Sequence, residues 1–86
     1  MPHSFAITVH GDITMVLRKV EEAITGAGGM FRGDQERGSF TGESFLGMIS
    51  GDYQVNPGNE IRITITEKPL FIPYSIIESE VRKYFG

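Results

Sequence analysis

The stretch Glu60-Ile61-Arg62-Ile63-Thr64-Ile65-Thr66-Glu67-Lys68-Pro69-Leu70-Phe71-Ile72-Pro73-Tyr74, continuing as Ser75-Ile76-Ile77-Glu78-Ser79-Glu80-Val81-Arg82-Lys83-Tyr84-Phe85, decides the fold. Its opening residues alternate apolar and polar. Successive side chains of a strand point to opposite faces, so Ile61, Ile63 and Ile65 share a core face while Arg62, Thr64 and Thr66 face water. Pro69 ends the strand because it has no N–H to give to a ladder. Leu70-Phe71-Ile72 is a short apolar link, expected to be buried where it closes the end of the core, with an exposed hydrophobic clip as the alternative. Pro73 suits the first turn of a helix, where its missing N–H costs nothing. Tyr74, Ile77, Val81, Tyr84 and Phe85 then fall on one helical face, and Glu78 stands four residues before Arg82 in the favourable orientation for an ion pair.

Upstream, Asn56-Pro57-Gly58-Asn59 is the strongest turn signal: Pro57 presets φ at the second position, and Gly58 accepts the positive φ of the third. It joins the Ile strand to a longer one, Phe45 to Val55, with a bend at Gly51. Gly42-Glu43 reads as a hairpin turn. The segment 27–42 has two readings, one bulged strand or two short strands with a polar loop at Gly33–Gly38. Nearer the start, Phe5, Ile7 and Val9 alternate with Ala6, Thr8 and His10 as a half-buried strand. Asp12 follows as an N-cap. Ile13, Val16, Leu17, Val20, Ala23 and Ile24 build one apolar helical stripe, and Gly26 is placed as its C-terminal stop. The order β-α-β-β-β-α predicts an α+β fold, a twisted antiparallel four-stranded sheet with two helices packed on one face, as a single domain over residues 1–86.

At 86 residues the chain suits one core. Hydrophobic residues at 40% and charged residues at 22% match ordinary globular usage. The net charge of −3, with basic residues interleaved with acids, argues against a nucleic-acid partner, which needs a basic face. No cysteine is present, which removes disulfides, thiolate metal sites and a Cys nucleophile. Residues Met1 to Phe5 lack a basic n-region and a long apolar h-region, and no apolar run approaches the roughly 20 residues of a membrane span. The expectation is therefore a cytoplasmic domain with no membrane span.

Several residues resemble the polyhydroxyalkanoic acid system family, small bacterial proteins associated with polyester granules. They are Phe31-Arg32-Gly33-Asp34, Phe40, Gly47-Met48-Ile49-Ser50, Ile61 to Ile65, Pro69-Leu70-Phe71-Ile72-Pro73-Tyr74 and Ile76-Ile77-Glu78, with His10 before the first helix. Phe31 stands where a Trp is familiar in that family, and the acid-Ala pattern near the start of the first helix is missing. The resemblance implies an accessory or granule-associated role and brings no catalytic residues with it.

The residues themselves offer little chemistry. A zinc site needs three or four converging ligands, whereas His3 and His10 are the only histidines, and Asp12 beside His10 is needed as a cap. Glu43, Asp52, Glu60 and Glu67 lie near turns or strand ends, where solvated carboxylates belong, and no spacing forces two together. Ser39, Ser44 and Ser50 lie in no Gly-x-Ser-x-Gly elbow. Gly26-Ala27-Gly28-Gly29 follows a helix rather than opening one, so it is a stop and turn, not a phosphate cradle. Arg32-Gly33-Asp34 spells an adhesion tripeptide that recurs by chance. No catalytic residue, metal site or cofactor is expected.

The informative place is the strand from Phe45. Phe45 and Ile49 would face the helices, with Gly47 letting a helix approach. Leu46 and Met48 would then stand on the opposite face, where an antiparallel sheet should be polar. Scattered surface apolars are ordinary, but a small sticky patch would serve a partner protein, self-association or an apolar, granule-like surface. The sequence thus predicts a small non-catalytic accessory or interaction domain using Leu46 and Met48. The alternative is a ligand-binding or weakly catalytic pocket between sheet and helices, in room left by Gly28, Gly47 and Gly51.

Overall fold

The structure, a computed structural model, describes residues 3–44 and 47–85. The chain runs β1 (His3–Thr8), α1 (Ile13–Gly26), β2 (Met30–Gly33), β3 (Arg37–Ser44), β4 (Gly47–Asn56), β5 (Glu60–Glu67) and α2 (Tyr74–Phe85). The sheet order is β1-β5-β4-β3-β2, every pair antiparallel. The fold is α+β, with five strands where the sequence suggested four.

The extra strand comes from resolving 27–42 into two short strands. Gly33 lies opposite Gly38, and the Asp34 N–H donates to the Arg37 carbonyl. The Asp34 carboxylate accepts from the Glu36 and Arg37 N–H groups at 2.8 and 3.0 Å, closing a tight turn from its own side chain. Those two N–H groups hold the Asp34 carboxyl below the usual carboxylate range. Tyr53 then fixes the hairpin from β4: its hydroxyl donates to the Asp34 carbonyl at 2.6 Å. The ring can lie there because neither Gly33 nor Gly38 carries a Cβ; at Gly38 that atom would come 2.5 Å from Tyr53 Cε1. Burial is the main cause that raises the Tyr53 hydroxyl pKa, with the Asp34 charge adding to it.

Two other boundaries move. Gly42 and Glu43 are not a turn but pair within β3, opposite Ile49 and Met48, and the pairing of β3 with β4 runs on to Ser44 and Gly47. Helix α1 ends at Gly26, but the left-handed stop expected there falls two residues later, at Gly28. Gly28 takes the positive φ of 88°, its N–H donates to the Thr25 carbonyl, and the Gly29 N–H donates to the Ile24 carbonyl. That pair of bonds is the Schellman arrangement. At the other end, Asp12 caps as expected, accepting from the Thr14 N–H at 2.9 Å.

One face of the sheet holds the core. Phe5, Ile7, Phe40, Ile49, Tyr53, Ile61, Ile63 and Ile65 form a single cluster with Leu17, Val20 and Ile24 of α1 and Ile77, Val81 and Phe85 of α2. Both helices therefore cover the same face. Helix α2 is tied to β1 by His3, whose Nε2 lies 3.0 Å from Glu78 Oε1 and whose ring stacks on Tyr74. Arg82 Nε also donates to Glu78, at 3.0 Å, forming the predicted pair. Tyr84, expected on the core face of α2, is 40% exposed. Among the described residues, no helix is long and apolar enough to cross a membrane.

Candidate functional site

The link between β5 and α2 is the least buried apolar segment of the described chain. Leu70 is 89% exposed and Phe71 94%. The expected burial of Leu70-Phe71-Ile72 holds only for Ile72, which packs against the core. The reason is local. The Ile72 N–H donates to the Pro69 carbonyl at 3.2 Å, closing a four-residue turn with Leu70 and Phe71 at its two central positions. Side chains there point away from the body of the protein.

The turn is pinned on both sides. A Cβ on Gly47 would lie 2.8 Å from Pro69 Cγ, so the glycine gives the proline ring its seat. The sequence reserved that gap for a helix; the link fills it. Lys68 Nζ donates to the Pro69 carbonyl at 3.2 Å and lies 4.9 Å from the centre of the Tyr74 ring. Two large apolar side chains are thus held in water by a short, proline-bracketed turn. Turn centres ordinarily carry Gly, Asn, Asp or Ser. Leaving Leu and Phe exposed forgoes roughly 1.5–3 kcal/mol for each.

Met48, the second residue of β4, is 51% exposed and lies opposite Glu43. It stands one residue from Gly47, and so at the same end of the molecule as Pro69. Its candidate companion Leu46 lies outside the described residues, as does Phe45. The open face of the sheet is otherwise mostly polar; Met30 at the β2 edge is also exposed, at 55%.

Two clefts bear on the pocket reading. One is an open cleft of about 560 Å³ between α1 and the β2–β3 turn, with Leu17, Phe31 and Tyr53 at its floor and Arg18, Glu21 and Asp34 at its rim. Phe31 and Tyr53 stack there with ring centres 5.4 Å apart. The other, apolar and holding only about 40 Å³, sits where Ile24, Phe40, Ile49, Tyr84 and Phe85 meet. The glycines leave no interior room of their own: Phe40 and the Thr64 carbonyl fill the space at Gly51, and Gly28 faces open solvent.

The charges are less scattered than the sequence suggests. Arg32, Arg37 and Arg62 share one depression on the open sheet face. His10 is exposed, and no group of three potential metal ligands occurs among the described residues. No family model, curated protein or solved structure matches the chain.

Proposed function

We propose that this chain is a non-catalytic interaction domain that attaches to an apolar surface through Leu70 and Phe71, with Met48 at the margin. The observation that carries this is the nearly complete exposure of two adjacent large apolar residues on a pinned turn. Preorganisation matters because a turn already fixed loses little entropy on contact. Burying both side chains contributes about 3–6 kcal/mol, enough for reversible attachment and not for permanent anchoring. The resemblance to the polyhydroxyalkanoic acid system family makes a polyester surface the first one to test.

The experiment is co-sedimentation with polyhydroxybutyrate particles, comparing wild type with Leu70→Asp/Phe71→Asp. The double variant is expected to lose at least tenfold in bound fraction while keeping its far-ultraviolet circular dichroism. Equal binding by the two folded proteins would refute the reading. Sedimentation velocity on the same pair tests whether a second copy occupies the turn instead.

A second reading, a small-ligand pocket, draws on the cleft floored by Phe31 and Tyr53. It predicts that Tyr53→Phe and Arg18→Gln change binding of a small aromatic probe, read by quenching of tyrosine fluorescence.

A further inference from the structure

Three arginines far apart in sequence meet on the open face of the sheet. Arg37 of β3 lies opposite Gln54 of β4, and Gln54 lies opposite Arg62 of β5. The two arginine stems therefore rise across one intervening strand, about 10 Å apart by two strand spacings. Arg32 of β2 lies opposite Ser39, two residues along from Arg37 on the same face, which makes the pair diagonal neighbours about 7–8 Å apart. With Ser39, Asp52, Gln54 and Thr64 they line a depression of about 480 Å³.

All three arginines are exposed, and none forms an ion pair among the described residues. General basicity does not explain them, because the chain carries a net charge of −3. A purely structural role would pair them, since like charges gathered on one sheet face repel. Asp52 stands in the same depression, opposite Ser39 and Thr64, and offsets one positive charge of the three. The depression is of small-ligand size. Its centre offers hydroxyl, amide and carboxylate groups, and its one aromatic lining residue, Tyr53, is 2% exposed with its ring stacked on Phe31, so the open side lacks the stacking platform that single-stranded nucleic acid uses.

We propose that this depression binds the phosphate or carboxylate group of a small polar molecule. The forked guanidinium groups of Arg37 and Arg62 clasp the oxyanion from two sides, the geometry that arginine provides and lysine does not. Arg32 flanks them. Asp52 accepts a hydrogen bond from a hydroxyl or amino group beside the oxyanion. The site lies several residues along β4 from Met48 and is independent of the apolar turn.

The test is an NMR titration of the whole chain with pyrophosphate and, separately, citrate. Saturable shifts of the Ser39, Asp52 and Gln54 amides are expected with at least one probe, and which one responds tells a phosphate ligand from a carboxylate ligand. Arg37→Gln/Arg62→Gln is expected to weaken binding at least tenfold. Lys19→Gln/Lys83→Gln, the same charge change on exposed positions of α1 and α2, is expected to leave it within twofold. Equal weakening by both pairs would reduce the effect to net charge and overturn the site. Absence of saturation with both probes would overturn it too, as would an oligothymidylate that shifts the same amides when neither small probe does.

Discussion

A methyl group added at Gly51 would stand 2.7 Å from the Thr64 carbonyl oxygen and 2.8 Å from Phe40 Cζ. The first neighbour is backbone, and the second is part of a buried ring, so neither yields cheaply. Gly51→Ala is therefore expected to cost about 1–3 kcal/mol by overpacking, measured by urea unfolding. Glu78 is a second residue with a readable consequence. The bond from His3, then that from Arg82, holds its carboxyl below the ordinary value. A carboxylate with a depressed folded pKa stabilises fully above its unfolded pKa and loses that contribution as pH falls through the folded one. At 28% side-chain exposure, solvent screens much of it. Glu78→Gln is expected to cost roughly 0.5 kcal/mol at neutral pH, with the difference from wild type shrinking below about pH 4. Urea midpoints across pH 3–7 check this. The Glu78–Arg82 half of the network is legible as a four-residue spacing. The His3 half is not, because it depends on how β1 and α2 come together.

At the scale of elements, β5 and the turn after it make opposite demands on the same kind of residue. Ile63 is fully buried, and Ile63→Ala is expected to cost about 2–5 kcal/mol. Leu70→Ala/Phe71→Ala removes more apolar surface but is expected to change stability by less than about 0.5 kcal/mol, because those side chains touch almost nothing. Thermal unfolding of the two variants side by side gives the comparison. Strand β5 was legible because alternation survives in its residues. The turn was misjudged because hydrophobicity alone placed it inside, whereas the Pro69–Ile72 hydrogen bond points its centre outward. The β2–β3 hairpin was legible only as a choice of two. Gly33 and Gly38 interrupt the apolar pattern, and their partner, the Tyr53 ring, comes from a strand far along the chain.

For the whole molecule, the layering of two helices on one sheet face follows from counting apolar stripes, and the sequence carried that much. The company each polar residue keeps on the other face did not follow. Arg37 and Arg62 approach one another only because β3–β4 and β4–β5 pair in one particular register. A shift by one residue would send one of them to the opposite side. A patch assembled by register cannot be seen in net charge or in spacing along the chain.

The pairing of β1 with β5 sets His3 opposite Ile65 and Thr8 opposite Glu60. A nascent chain leaving the ribosome thus exposes β1 long before β5, its one neighbour among the described strands, has been made. Until Glu67 emerges, Phe5 and Ile7 have no ladder to join, and the sheet can grow only from the hairpins of β2, β3 and β4. Such long-range closure belongs to the slower class of small-domain folding. Strand β1 waits meanwhile as an unpaired apolar segment, and this interval, rather than the finished fold, is when the chain is most open to capture by a chaperone or to aggregation.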